Sequence, residues 1–182
     1  MNRKVLAIVG LIVLVVFITG SIVGQMLLAR SNTQGISQQQ EAEKIEAIDI
    51  KVYDTDNNEV KLSDFSGKPV IINFWATWCP YCVDEMGYFE NSYQEYGDDI
   101  VFMMIDAVDG TRETFEKGKA FIDEHEYTFP VYYDLDQHAV YVYQINSLPT
   151  TVFIDKEGYV VAYQPGGLTE DMLAAGIDLL LK

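Results

Sequence analysis

The sequence predicts an α/β domain, a central mixed β-sheet flanked by helices, tethered by one N-terminal transmembrane helix. Three observations lead there. PVIINFWAT (69–77) and IVFMMIDAV (100–108) are near-continuous apolar runs, the signature of strands buried on both faces. Each is followed by a longer segment of helical character, and strand–helix–strand alternation builds a sheet covered by helices. Residues 5–24, VLAIVGLIVLVVFITGSIVG, carry no charge, and such a run at about 1.5 Å rise per residue spans roughly 30 Å, the hydrocarbon thickness of a bilayer.

The elements follow in order. Arg3 and Lys4 precede the apolar run, so the positive-inside tendency holds the N-terminus in the cytoplasm and the body of the chain outside it. A cleaved signal peptide is the competing reading, and it wants small residues at positions −3 and −1. A cut after Ala29 has Leu27 at −3, and one after Gly24 has Ile22 there, so residues 1–30 are read as an uncleaved single-pass anchor. No cysteine follows the run to carry a lipid. Residues 31–48, SNTQGISQQQEAEKIEAI, are polar and read as a linker. The globular domain, 49–182, opens with a hairpin signal around Asp56-Asn57-Asn58 and a helical turn at Ser63-Asp64, broken by Gly67-Lys68-Pro69. Residues 80–96 form a helix that stops before Gly97, and 111–126 an amphipathic one. FPVYYD (129–134) is a third strand and 136–144 a short helix. TTVFID and YVVAYQ form a hairpin across Lys156-Glu157-Gly158, and a helix over 169–181, capped by Thr169, closes the chain.

Charge excludes some partners. Beyond residue 30 the chain has nine basic against 28 acidic side chains. Such a surface repels nucleic acid and anionic lipid heads and keeps the domain soluble. Nothing marks an obligate interface, so a monomer is expected.

The chemistry centres on FWATWCPYC (74–82), which holds the two cysteines of the chain. A structural zinc site takes four ligands, and beyond Cys79 and Cys82 the obvious donors are His125 and His138, without paired spacing. A structural disulfide gains most by closing a long loop, and a two-residue gap closes almost nothing. Redox exchange fits better. The pair lies where a buried strand turns into a helix. Cys79 stands at the helix N-terminus, where free N–H groups and the helix dipole favour a thiolate. Pro80 fits the first turn, where its missing N–H costs nothing. Cys82, one turn deeper, is placed to attack a mixed disulfide formed at Cys79.

At these residues the chain resembles the thioredoxin superfamily, and within it the TlpA/ResA-like membrane-anchored thiol–disulfide oxidoreductases. GKPVIINFWATWCPYCVDE and Ser147-Leu148-Pro149-Thr150-Thr151 carry the resemblance, which covers roughly residues 49–182. It implies a thioredoxin-like fold, a redox-active Cys79–Cys82 disulfide with no other cofactor and no metal, and a cis bond before Pro149, which faces the disulfide. It implies that Trp78, Pro80, Tyr81, Leu148 and Pro149 meet the substrate, Leu148 through its backbone and Trp78 as a shield for the nucleophile. Ordinary thioredoxins carry a buried aspartate six residues before the first cysteine. Here Asn73 stands there and cannot titrate. The TlpA/ResA-like group instead has a glutamate three residues after the second cysteine, which maps to Glu85, on one helical face with Cys82. Burial would raise its pKa and let it exchange a proton with Cys82. Where the group often has a helix-kinking proline, this chain has Gly87.

The implied partners are exported proteins with cysteines, apocytochrome c or a repair enzyme among them, and a membrane thiol carrier that supplies electrons. Pro-Tyr between the cysteines is neither the Gly-Pro of general reductases nor the Pro-His of the strong periplasmic oxidant. The resemblance therefore favours a reductase and leaves a disulfide-forming oxidase or isomerase open. A peroxidase is disfavoured: the peroxiredoxin relatives place a threonine three residues before their cysteine, and Thr77 lies two before Cys79, with Arg112 the sole arginine of the domain. A copper- or haem-handling module on the same fold, recruiting His138, is the alternative of another class.

Overall fold

The computed structural model describes residues 44–182, so the apolar run and most of the linker lie outside the described residues. Among the described residues no helix is long and apolar enough to cross a membrane. Eight strands form one sheet: β1 (Ile45–Glu46), β2 (Lys51–Tyr53), β3 (Glu59–Lys61), β4 (Val70–Trp75), β5 (Val101–Asp106), β6 (Val131–Tyr133), β7 (Thr150–Ile154) and β8 (Tyr159–Pro165). Their order is β1-β8-β7-β4-β5-β6-β2-β3. β4, β5 and β6 run parallel and every other neighbouring pair is antiparallel, so the sheet is mixed, as predicted. Four helices complete the domain: α1 (Pro80–Tyr96), α2 (Phe115–His125), α3 (His138–Val142) and α4 (Glu170–Leu180), with a 3-10 turn at Leu62–Phe65.

β4 sits in the middle and is buried along its whole length. Its alternate residues feed two cores. Ile71 and Trp75 join Met86 and Phe89 of α1, Leu173 and Ile177 of α4, and Phe102 and Met104 of β5. Val70, Ile72 and Phe74 point the other way, toward Val52, Leu62 and Ala139. A strand with no polar face is what a position between two layers requires.

Two boundaries differ from expectation. Residues Ile45 and Glu46, assigned to the linker, pair with Val160 and Tyr159, and the Ala47 N–H donates to the Gly158 carbonyl at 2.9 Å. The ladder therefore begins before residue 49. Helix α2 begins at 115 rather than 111, because Asp109 Oδ1 accepts the N–H groups of Thr111, Arg112 and Glu113 and holds them in a turn. Thr114 then caps the helix by accepting the Lys117 N–H. Gly87 leaves no break: α1 is one helix from 80 to 96.

Candidate active site

Strand β4 delivers its chain to a tight turn, Ala76–Cys79, closed by the Cys79 N–H donating to the Ala76 carbonyl at 3.1 Å. Cys79 is the N-cap of α1 with extended backbone, and its Sγ accepts the Cys82 N–H at 3.2 Å. Pro80 occupies the first helical position. The two cysteines are joined as a disulfide, with Cα atoms 5.3 Å apart. The predicted strand-to-helix placement is therefore what the chain adopts. Both sulfurs lie in the core cluster beneath α1, while Tyr81 is 69% exposed beside them and Trp78 is 37% exposed.

The Leu148–Pro149 bond is cis. Thr150 pairs with Phe74, so the cis bond lies just before β7, at the end of the sheet where β4 leaves for the cysteines. The Pro149 carbonyl accepts the Gly166 N–H at 2.8 Å, and Thr150 Oγ1 donates to the Ser147 carbonyl at 2.8 Å, which holds this loop down. Trp78 and Leu148 face each other across a groove of about 250 Å³, lined also by Val108, Val140 and Ile145. This surface groove, apolar along Trp78, Val108, Val140, Ile145 and Leu148 with Asp109, Gln137, Asn146 and Ser147 at its polar parts, begins at Trp78, next in sequence to Cys79.

Glu85 is 1% exposed. Its Oε1 accepts from Asn73 Nδ2 at 2.8 Å and its Oε2 accepts the Leu168 N–H at 2.7 Å. Burial pushes its carboxyl up to about 7, against the two hydrogen bonds, which hold it down. A group with that value changes charge at the pH where thiols exchange. Asn73 is more than a replacement for an acid. Its amide ties Glu85 to Thr151 Oγ1, 3.0 Å away on the neighbouring strand.

Two further residues touch the turn that carries Cys79, and a third, Asp106, lies behind it. Glu113, fully buried, accepts both the Thr77 N–H at 2.8 Å and the Thr77 hydroxyl at 2.7 Å through Oε2. Arg112 lies over the Trp78 ring, its guanidinium 3.5 Å from the ring centre. Asp106 ends β5, directly opposite Trp75. The loop contacts cross some thirty positions of sequence, and no motif announces them. Asp106 alone left a trace, an acid inside a buried apolar run. His138 is engaged elsewhere, its Nδ1 accepting the Lys51 N–H at 3.2 Å. Among the described residues no group of three or more His, Cys, Asp or Glu side chains is arranged to hold a metal ion.

The AhpC/TSA family matches residues 44–163. A relative from Oceanobacillus iheyensis named thiol-disulfide oxidoreductase ResA is 40% identical over 120 residues, 66% of this chain. The chain spans 61% of that relative's length. The ResA of Bacillus subtilis is 32% identical over 139 residues, 76% of each chain. Among solved structures, the exposed lipoprotein thioredoxin of Streptococcus pneumoniae superposes with a TM-score of 0.64 at 29% identity, over 73% of this chain and 100% of that one. StoA of Bacillus subtilis, at 21% identity and a TM-score of 0.62, covers 71% of this chain and 96% of its own, and shows the shared fold.

Proposed function

The chain belongs to the AhpC/TSA family, among relatives named thiol-disulfide oxidoreductase ResA, and on that premise we propose that it is a membrane-anchored reductase of disulfides in exported proteins. The observation that carries the reading is the Cys79–Cys82 pair at the N-terminus of α1, with a buried, titrating Glu85 one turn further. Cys79, as thiolate, attacks a substrate disulfide; a Cys79–substrate S–S bond forms and one substrate thiolate leaves. Cys82 then gives its proton to Glu85 and attacks Cys79 Sγ. The second substrate thiolate leaves, and the electron pair of the dithiol has passed to the substrate. Trp78, Pro80 and Tyr81 meet the peptide around its sulfur, while Leu148 and cis-Pro149 hold it extended along the apolar groove.

The uncharged run at 5–24 supports an anchor that keeps the domain on the outer side of the cell membrane, near a thiol carrier in that membrane. The direction of electron flow rests on the family likeness. The deciding experiment is the reduction potential of the Cys79–Cys82 pair, from equilibration with redox buffers and read by Trp fluorescence. A value at or below roughly −230 mV is expected for a reductase, and one above roughly −150 mV makes the protein a disulfide donor instead.

A further inference from the structure

A second set of buried polar groups lies behind the turn that carries Cys79. Trp75, Asp106 and Tyr133 form one row across β4, β5 and β6, each in register with the next and all fully buried. Trp75 Nε1, both oxygens of Asp106, the Tyr133 hydroxyl and Glu113 Oε1 are buried without a hydrogen-bond partner, five of the six such atoms among the described residues. They are gathered, not scattered, and buried polar groups left bare are costly. Gly118 of α2 covers them: a Cβ there would run into the Asp106 carboxyl and press on the Tyr133 ring. The other oxygen of Glu113 is the one that holds Thr77, and the next residue, Arg112, lies over Trp78. One loop thus grips the 76–79 turn at two neighbouring residues.

Two acids buried side by side do not both ionise readily without a counter-charge. The groups that face Asp106 are Glu113 and Asp109 from the loop before α2 and Tyr133 from β6, with Asp123 of α2 beyond Tyr133. β4 contributes Trp75, which does not titrate. The basic side chains of the loop and of α2 are engaged elsewhere. Arg112 is on Trp78, Lys117 is on the carbonyls of Thr111 and Arg112, Lys119 is on Asp123, and His125 is on the Phe121 carbonyl. A proton is the remaining neutraliser. Burial, then Glu113 and Asp109, push the Asp106 carboxyl up to about 9.

We propose that Asp106 is a proton-loaded positioning residue: held as the neutral acid under Gly118, it lets Glu113 stay seated on Thr77 and so keeps the turn that presents Cys79 in shape. When the proton leaves, Glu113 is repelled, Thr77 is released and the turn loosens. The consequence for exchange rests on the reading of Cys79 as the nucleophile, whereas the location of the proton does not.

The test uses the full chain in detergent, first in its oxidised form, where no thiol titrates. An infrared carbonyl band of a protonated carboxyl is expected at pH 8, where Glu85 has given up most of its proton, and it fades near pH 9. The isosteric Asp106→Asn removes it. No band at pH 8, or a band that survives in D106N, overturns the proposal. Thr77→Val keeps it falsifiable should D106N not fold. With one donor to Glu113 gone, the band's midpoint moves down, and an unmoved midpoint counts against the coupling. Exchange with dithiothreitol then measures positioning. The rate ratio between pH 9.5 and 7.5 is expected to be at least about threefold higher in D106N than in wild type, because the variant has no charge to release there. Equal ratios refute positioning even with the proton in place, and absence of any exchange in wild type refutes the oxidoreductase reading while leaving the band untouched.

Discussion

At the scale of single residues, Glu85 shows how position converts a common side chain into a titrating one. On a solvated helix face a glutamate is spent on solubility. Here it is 1% exposed and held by one amide and one backbone N–H, and its carboxyl rises from the ordinary 4.5 to about 7. A carboxyl with a raised folded pKa contributes stability that is fully present below its unfolded value and is lost as pH rises to the folded one. The oxidised protein is therefore expected to lose about 3 kcal/mol of unfolding free energy from this residue between pH 4.5 and 7. Glu85→Gln is expected to remove this residue's share of the slope and leave the share of Asp106, because the amide stays neutral and Asn73, whose Oδ1 is free, turns over to accept from it. In the reduced protein the same variant is expected to lose the step near pH 7 in exchange rate. Denaturant melts of the oxidised form at a series of pH values check the first expectation. A slope unchanged in the variant places the titration elsewhere. Glu85 was singled out through the family resemblance, as the glutamate three residues after Cys82. Its partners Asn73 and Leu168 lie 12 and 83 positions away in sequence, so only the folded chain joins them. Glu113 was not legible for the same reason.

At the scale of elements, the helix periods and caps were readable and the loop between β5 and α2 was not. Thr169 caps α4 by accepting the Met172 N–H, and the helix over 80–96 starts at Pro80 as its chemistry predicts. Residues 111–113 were expected to be helical, yet one carboxylate oxygen of Asp109 captures their N–H groups first. Local competition of this kind leaves no trace in periodicity. The helix glycines sort by what surrounds them. Gly87 is exposed in α1, and a Cβ there meets nothing within 4 Å. Gly87→Ala is expected to stabilise the domain by about 0.5–1 kcal/mol through backbone entropy alone. Gly176 of α4 lies on the Phe153 ring of β7, and a Cβ there overlaps it. Gly176→Ala is expected to cost about 1–3 kcal/mol, because the helix must lift off the sheet. Thermal melts of the two variants separate the effects. Equal shifts would mean that α4 packs less closely on β7 than these contacts require.

At the scale of the whole molecule, the class of fold followed from the alternation of buried runs and helices, and the apolar run of β4 already marked a strand buried on both faces. The order of strands did not follow. Nothing in two-residue β1 distinguishes it from the polar chain around it, and its assignment depends on an open edge of β8 that exists only once β7 and β8 have paired. That edge makes the start of the domain testable. Starting the chain at residue 49 removes the Ile45–Val160 and Glu46–Tyr159 pairs, the Ala47 bond to Gly158 and Lys44 over the Tyr159 ring. Asp49 remains to hold Ser63. A fragment of residues 49–182 is therefore expected to fold but to be less stable than 44–182 by about 1–2 kcal/mol. It also bares part of β8, whose Val161 and Tyr163 are already exposed, and an uncovered apolar edge recruits a second strand. Concentration-dependent self-association by analytical ultracentrifugation is expected for the shorter fragment and not for the longer one. Equal stability and equal monomer mass would mean that β1 is an ornament of the sheet and that the linker extends to residue 48 after all.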